Sequence, residues 1–302
     1  MRLLTLKIDV DTYRGTREGI PRLVDLLQRF NANATFLWSL GPDHTGRAIK
    51  RVFRPGFMKK VSRTSVREHY GIKTLLYGTL LPGPDIGKRC APLMREVVAA
   101  GFESGVHTWD HIRWQDGVAE ADEAWTAAEL NASIERYVEI FGEPPQTHGA
   151  AGWQMNAHAY RLEQRLGMRY ASDGRGTHPF WPMVRGEPVR VPQLPTTLPT
   201  LDELIGIDGL TPDNVHEHLL RLTEAEMRFG HVYTLHAELE GMKLLPVFER
   251  LLAGWQEQGY QFVSLGEHCA ALDLSQLPYH EVQMAEIPGR SGVLAVQGPQ
   301  FL

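Results

Sequence analysis

The chain has 302 residues, of which 43% are hydrophobic and 22% charged, enough to bury the core of one large α/β domain or two small ones. Its formal charge of −5 speaks against a nucleic-acid partner, and Cys90 and Cys269 form neither a close metal-type pair nor a disulfide framework. No run approaches the roughly 20 apolar residues of a membrane-spanning helix, and the opening "MRLLTLKIDVDTYRG" is cut by Lys7 and Asp9, unlike a secretory signal, so a cytoplasmic location is expected.

In chain order, "LLTLKID" (3–9), "NATFLWSL" (33–40), "FESGVH" (102–107), "MRYASD" (168–173), "HVYTLHA" (231–237) and "YQFVSLG" (260–266) read as strands, being short and rich in β-branched or aromatic residues. Between them, 18–30, 90–101, 127–142, 156–167, 211–230 and 244–259 carry helical spacing, several ending in Gly. Such alternation implies parallel strands with helices outside, hence a (β/α) barrel or a doubly wound sheet. The Pro-rich "VPQLPTTLPT" (191–200) reads as an extended loop, residues 1–272 as the catalytic domain and 273–302 as a tail.

Residues 44–88 interrupt this pattern. Between 47 and 73 stand nine Lys or Arg side chains against Glu68 alone, threaded with Phe53, Phe57 and Met58. A basic amphipathic stretch of this kind suits an anionic lipid surface, and a solvated helix face packed on the domain is the other reading.

Chemistry in such folds sits at the C-terminal ends of strands. There stand Asp9 and Asp11, then His107 with His111 just beyond it in "HTWDH", then Asp173, then His236. Asp9 and Asp11 share one side of an extended chain, so one carboxylate can bind a metal while the other handles a proton. His at i and i+4 share a face of a helical turn, and with one aspartate they make three ligands that leave a position open. That arrangement suits metal-assisted hydrolysis of an amide, with His236 placed to protonate the leaving nitrogen.

The acidic motif, the H-x-x-x-H motif and the late "LH" strand, in this order, resemble the polysaccharide deacetylase family of metal-dependent carbohydrate amidases. The resemblance implies a distorted (β/α) barrel. It also implies Asp9 as general base, Asp11, His107 and His111 as ligands of one divalent ion, and His236 as general acid. An Asp-His-His set accepts Zn²⁺, Mn²⁺, Co²⁺ or Ni²⁺.

Within that family, "RGTREG" (14–19), "GPD" (41–43), "LLYGTLLPG" (75–83), "AAGW" (150–153), "SDGRG" (172–176), "LPT" (198–200) and "YTLHAELEG" (233–241) are similar to its deformylase branch. That similarity implies removal of formate from undecaprenyl-phosphate-linked 4-deoxy-4-formamido-L-arabinose at the inner face of the bacterial inner membrane, in the aminoarabinose modification of lipid A. A general sugar or peptidoglycan N-deacetylase and a non-catalytic binder of lipid-linked sugar are the alternatives. Oligomeric state has no signature here.

The sequence departs from the general family at "HGAAGW" (148–153), where His148 replaces the arginine that orients the base. Arg175 is expected to take over that role, and the Ala151 amide to serve the oxyanion. Arg14 and Arg17 are candidates for the substrate phosphate, and Asp173, Trp153 and Tyr233 are further expected on the substrate side.

Overall fold

The computed structural model describes residues 2–48 and 73–301; most of the basic segment therefore lies outside the described residues. A seven-stranded parallel sheet is built from β1 (Arg2–Val10), β2 (Thr35–Ser39), β3 (Glu103–Thr108), β4 (Thr147–His148) and β5 (Tyr170–Ala171). After β6 (Trp181–Val184) and β7 (Glu187–Pro188) it gains β8 (His231–His236) and β9 (Tyr260–Val263). The strand order is β5-β4-β3-β2-β1-β8. β9 shares an edge of β1 with β2, pairing Arg2–Thr5 while β2 pairs Lys7–Val10.

β1 is buried on both faces, as a central parallel strand must be. Leu4, Leu6, Ile8 and Val10 pack outward against the helices Ile20–Arg29 and Leu245–Glu257. Period-two alternation puts Thr5, Lys7 and Asp9 on the opposite, inner face. The inner face is polar, and the chemistry collects there.

The Pro-rich segment is extended, as expected, but buried. It bonds both edges of the sheet: Leu194 N donates to Ala171 O in β5 (2.8 Å) and Thr197 N to Val232 O in β8 (3.0 Å). Non-proline residues supply these donors, so the prolines cost the closure nothing. The sheet thus curls into the distorted (β/α) barrel that the alternation predicts.

The helices follow the expected order with shifted ends. Asp122 caps the helix Glu123–Phe141 by accepting from Trp125 N, and Asp85 caps Ile86–Ala99 by accepting from Lys88 N, so both begin before their apolar patterns do. The helix expected over 211–230 covers only Val215–Leu222.

The expected tail is the main correction. Tyr279–Glu286 (β10) and Val293–Gln300 (β11) form an antiparallel hairpin, and β10 pairs in parallel with β6, giving a second sheet ordered β11-β10-β6-β7. Leu294 and Ala295 are buried, and Arg175 N donates to Ala295 O (2.9 Å). The hairpin alternates polar and apolar residues because only one face meets the barrel. Among the described residues no helix is long and apolar enough to cross a membrane.

Candidate active site

Register delivers the site. β1 and β8 pair Asp9 with His236, and β3 carries His107 near its end, two strands from β1. His111 begins the helix His111–Gly117, whose N-cap Asp110 accepts from Arg113 N. The ligand atoms of Asp11, His107 and His111 all lie within 4.8 Å of one another. Asp11 Oδ1 is 3.2 Å from His107 Nε2 and 3.4 Å from His111 Nε2.

This set fits a divalent cation on the evidence of its own hydrogen bonds. His107 Nδ1 lies 2.6 Å from Gly149 O, which assigns the ring proton to Nδ1 and leaves Nε2 as an acceptor. Two buried acceptors, His107 Nε2 and Asp11 Oδ1, therefore face each other without a hydrogen-bond partner. Burial pushes the Asp11 carboxyl up, but His111 and His107 outweigh it and hold Asp11 well below the ordinary carboxylate range.

Two more buried atoms lack partners, Asp9 Oδ1 and His236 Nδ1. The turn after β8 holds the backbone beside them. Glu238 Oε1 accepts from Asp11 N (3.2 Å), Thr12 N (2.8 Å) and Thr12 Oγ1 (2.7 Å), and Glu240 Oε2 accepts from His236 N (2.9 Å). Burial, joined by the Asp11 charge, drives Glu238 well above the usual range, and burial lifts Glu240 to about 7.

Next to the Asp11–His107–His111 set lies a fully buried triad. His148 Nδ1 is 2.6 Å from Glu163 Oε1 and 2.9 Å from Asp173 Oδ1, and His148 Nε2 is 3.2 Å from His107 O. Burial alone would lower His148, but the charges and hydrogen bonds of Asp173 and Glu163 raise it to about 10, so it is an imidazolium at neutral pH. Burial and Asp173 raise Glu163 to about 8. Because His148 already engages its partners at hydrogen-bond distance, the triad is an ion network and not a second metal centre. It holds the chain around Ala151, since Asp173 Oδ1 also accepts from Ala150 N (3.0 Å).

The other expected residues separate. Arg175 does not reach Asp9: its Nη1 bonds Glu203 Oε1 (2.5 Å) and its Nη2 bonds Leu198 O (3.1 Å). The cation beside Asp9 is Lys7, with Nζ 3.6 Å from Oδ2. Asp173, expected on the substrate side, is fully buried in the triad and also accepts from Gln193 Nε2 (2.7 Å). Tyr233 is a core residue, donating to Glu240 Oε1 (3.2 Å) and packed edge-on against Trp255. Trp153 is buried edge-on to His236 (6.4 Å between centroids), under the guanidinium groups of Arg290 (4.5 Å) and Arg175 (5.1 Å). Arg14 pairs with Glu18 (3.1 Å), and Arg17 lies over the Tyr13 ring (5.4 Å).

Lys7, Glu238 and Glu240 stand outside the expected site but leave a trace in the sequence: a charge inside an apolar strand, and two acids beside His236 in "HAELEG". Glu163 leaves none, because its partner His148 lies on another element.

A curled parallel sheet with a buried acid–imidazole cluster at its strand ends defines an amide hydrolase of the deacetylase type. The chain belongs to the polysaccharide deacetylase family, whose model matches residues 8–171. It is 38% identical over 97% of its length to a protein of Shewanella sediminis (strain HAW-EB3) named "Probable 4-deoxy-4-formamido-L-arabinose-phosphoundecaprenol deformylase ArnD", of which 93% is covered. A protein of the same name from Wigglesworthia glossinidia brevipalpis is 31% identical over 94% of this chain and 98% of its own. A solved structure from Mycobacterium smegmatis assigned to the polysaccharide deacetylases superposes with a TM-score of 0.62 at 18% identity, covering 95% of this chain and 96% of that one, and shows the shared fold.

Proposed function

We propose that this protein is a metal-dependent deformylase that hydrolyses the formamide of undecaprenyl-phosphate-linked 4-deoxy-4-formamido-L-arabinose, a step in the aminoarabinose modification of lipid A. The amide chemistry rests on one observation: Asp9 and His236, register partners on adjacent strands, flank the Asp11–His107–His111 donor set with unpartnered buried atoms. The substrate rests on likeness over nearly the whole chain to two relatives bearing that name.

Asp11, His107 and His111 would hold the ion. When bound, a divalent cation there supplies Lewis-acid chemistry, polarising the formyl oxygen and making water easier to deprotonate. Asp9 takes the proton of the attacking water at Oδ1. His236 gives a proton from Nδ1 to the sugar nitrogen as the C–N bond breaks, so that water and formamide become formate and amine. The Ala151 amide stabilises the oxyanion. Arg14 and Arg17, on the chain that leaves β1, meet the phosphate.

A polyprenyl substrate stays in the bilayer, so the enzyme must come to the cytoplasmic leaflet as a peripheral protein. The basic, apolar-threaded segment between 47 and 73 supports that reading by its charge. The decisive assay is mass spectrometry of the purified, metal-loaded protein with the formamido sugar phosphoprenol and its acetamido analogue. Release of formate with little release of acetate is expected. Equal turnover of both would favour a general N-deacetylase.

A further inference from the structure

We infer that Lys7 is a positioning residue for this reaction, the cation that sets Asp9 as the base in place of the arginine missing at position 148. The inference rests on the deformylase reading, in which Asp9 takes the proton.

Lys7 has no exposed surface and lies on the inner face of β1 two residues before Asp9, so both side chains point the same way. Burying an ammonium group costs several kcal/mol unless its charge and donors are met. Here each partner belongs to the site. Nζ donates to Ser172 O (2.9 Å), lies 3.6 Å from Asp9 Oδ2, and stands 5.5 Å over the Trp153 ring. Space for it is reserved as well. A Cβ at Gly149 would strike Leu37 Cδ1 first and would also lie 3.0 Å from Lys7 Cε and 3.3 Å from Nζ, and the same Gly149 offers its carbonyl to His107.

The other basic groups nearby are engaged elsewhere. His148 is held by Glu163 and Asp173, Arg175 by Glu203, and His107 Nδ1 lies 3.9 Å from Asp9 Oδ1 while bonded to Gly149 O. Lys7 therefore supplies the counter-charge that a buried carboxylate requires, and it does so from one side. With Oδ2 turned toward Lys7, Oδ1 is left without a partner, and that is the oxygen available for the proton of water. The bond to Ser172 O fixes the ammonium against the chain after β5, so the orientation of Asp9 depends on the barrel and not on one strand.

The test compares wild type, Lys7→Met, Lys7→Gln and Lys7→Arg as metal-loaded proteins, with metal content measured and with the formamido sugar phosphoprenol as substrate. Both neutral variants should lose kcat by about 100-fold, the scale expected for a misplaced reacting group. KM and metal content should stay within about twofold, because the donor set and the substrate contacts lie on other side chains. Lys7→Arg, which keeps the charge, should recover most of that loss. Lys7→Met or Lys7→Gln turning over at wild-type kcat would overturn the inference. So would a Lys7→Arg protein that folds and binds metal yet is as slow as the neutral variants. Lack of turnover by wild type itself would instead overturn the deformylase reading.

Discussion

Asp9 and His236 are register partners in the β1–β8 ladder, so the two groups proposed to handle protons project from neighbouring strands at one level. Paired residues in a parallel ladder share a face, and their separation is held by backbone hydrogen bonds. Base and acid are therefore fixed relative to each other before any substrate arrives.

Asp9→Asn and His236→Phe should each lower kcat by about 10²- to 10⁴-fold, the usual worth of general acid–base catalysis, while metal content is unchanged. Steady-state kinetics with metal analysis would check this. An Asp9→Asn protein of wild-type rate would place the base elsewhere.

Removal of metal by a chelator should abolish turnover, and added divalent metal should restore it. His107→Ala or His111→Ala leaves two ligands, so both metal content and rate should fall together. Activity persisting in protein shown to be metal-free by elemental analysis would remove the Asp11–His107–His111 assignment.

The buried triad makes stability depend on pH. His148 is raised from 6.5 to about 10, so the native state holds a proton that the unfolded chain releases. That contribution is complete below pH 6.5 and is lost as pH rises through about 10. Glu163, raised to about 8, has the same sign in a lower window, leaving the slope above that point to His148. The Tm should therefore fall between pH 8 and 10, less steeply in His148→Gln. The same variant leaves the buried Asp173 carboxylate without its counter-charge and should cost about 3–5 kcal/mol at neutral pH. Equal slopes in thermal scans of the two proteins would contradict this account.

Arg290, at the turn of the C-terminal hairpin, pairs with Glu203 Oε1 (2.7 Å) and Asp202 Oδ2 (3.2 Å) over Trp153. Arg290→Ala should destabilise by about 1.5–3 kcal/mol, the worth of hydrogen bonds to charged groups. Truncation after residue 272 should do far more, since it exposes β6 and the backbone of Arg175. Denaturant titrations would show whether the hairpin is as dispensable as a tail.

Nine cations between 47 and 73, at about 1 kcal/mol for each one near an anionic leaflet, predict vesicle binding that weakens with salt. Lys59→Glu combined with Lys60→Glu should weaken it further, while turnover of a short-chain soluble substrate survives. Salt-independent binding in a flotation assay would argue against an electrostatic contact.

The barrel order and the Asp11–His107–His111 cluster were legible in the sequence because their signals are local. Alternation identifies strands, i and i+2 spacing places Asp9 and Asp11 together, and i and i+4 spacing does the same for His107 and His111. His236 was visible as the end of an apolar strand. Lys7 stands in the sequence as a charge within an apolar strand, but no local pattern names it as the partner of Asp9, a role expected of Arg175, whose guanidinium bonds Glu203 instead. The two-residue strand Thr147–His148 has no periodicity to detect and exists because Val106 pairs with His148.

The sequence by itself determined which acids and imidazoles stand at which strand ends, because that placement follows from spacing along one element. Only the tertiary structure decided that Asp173 is buried against His148, that Tyr233 belongs to the core, and that residues 279–300 complete a second sheet. These are pairings between distant segments. They depend on register, closure and the cost of burying charge, none of which a local pattern encodes.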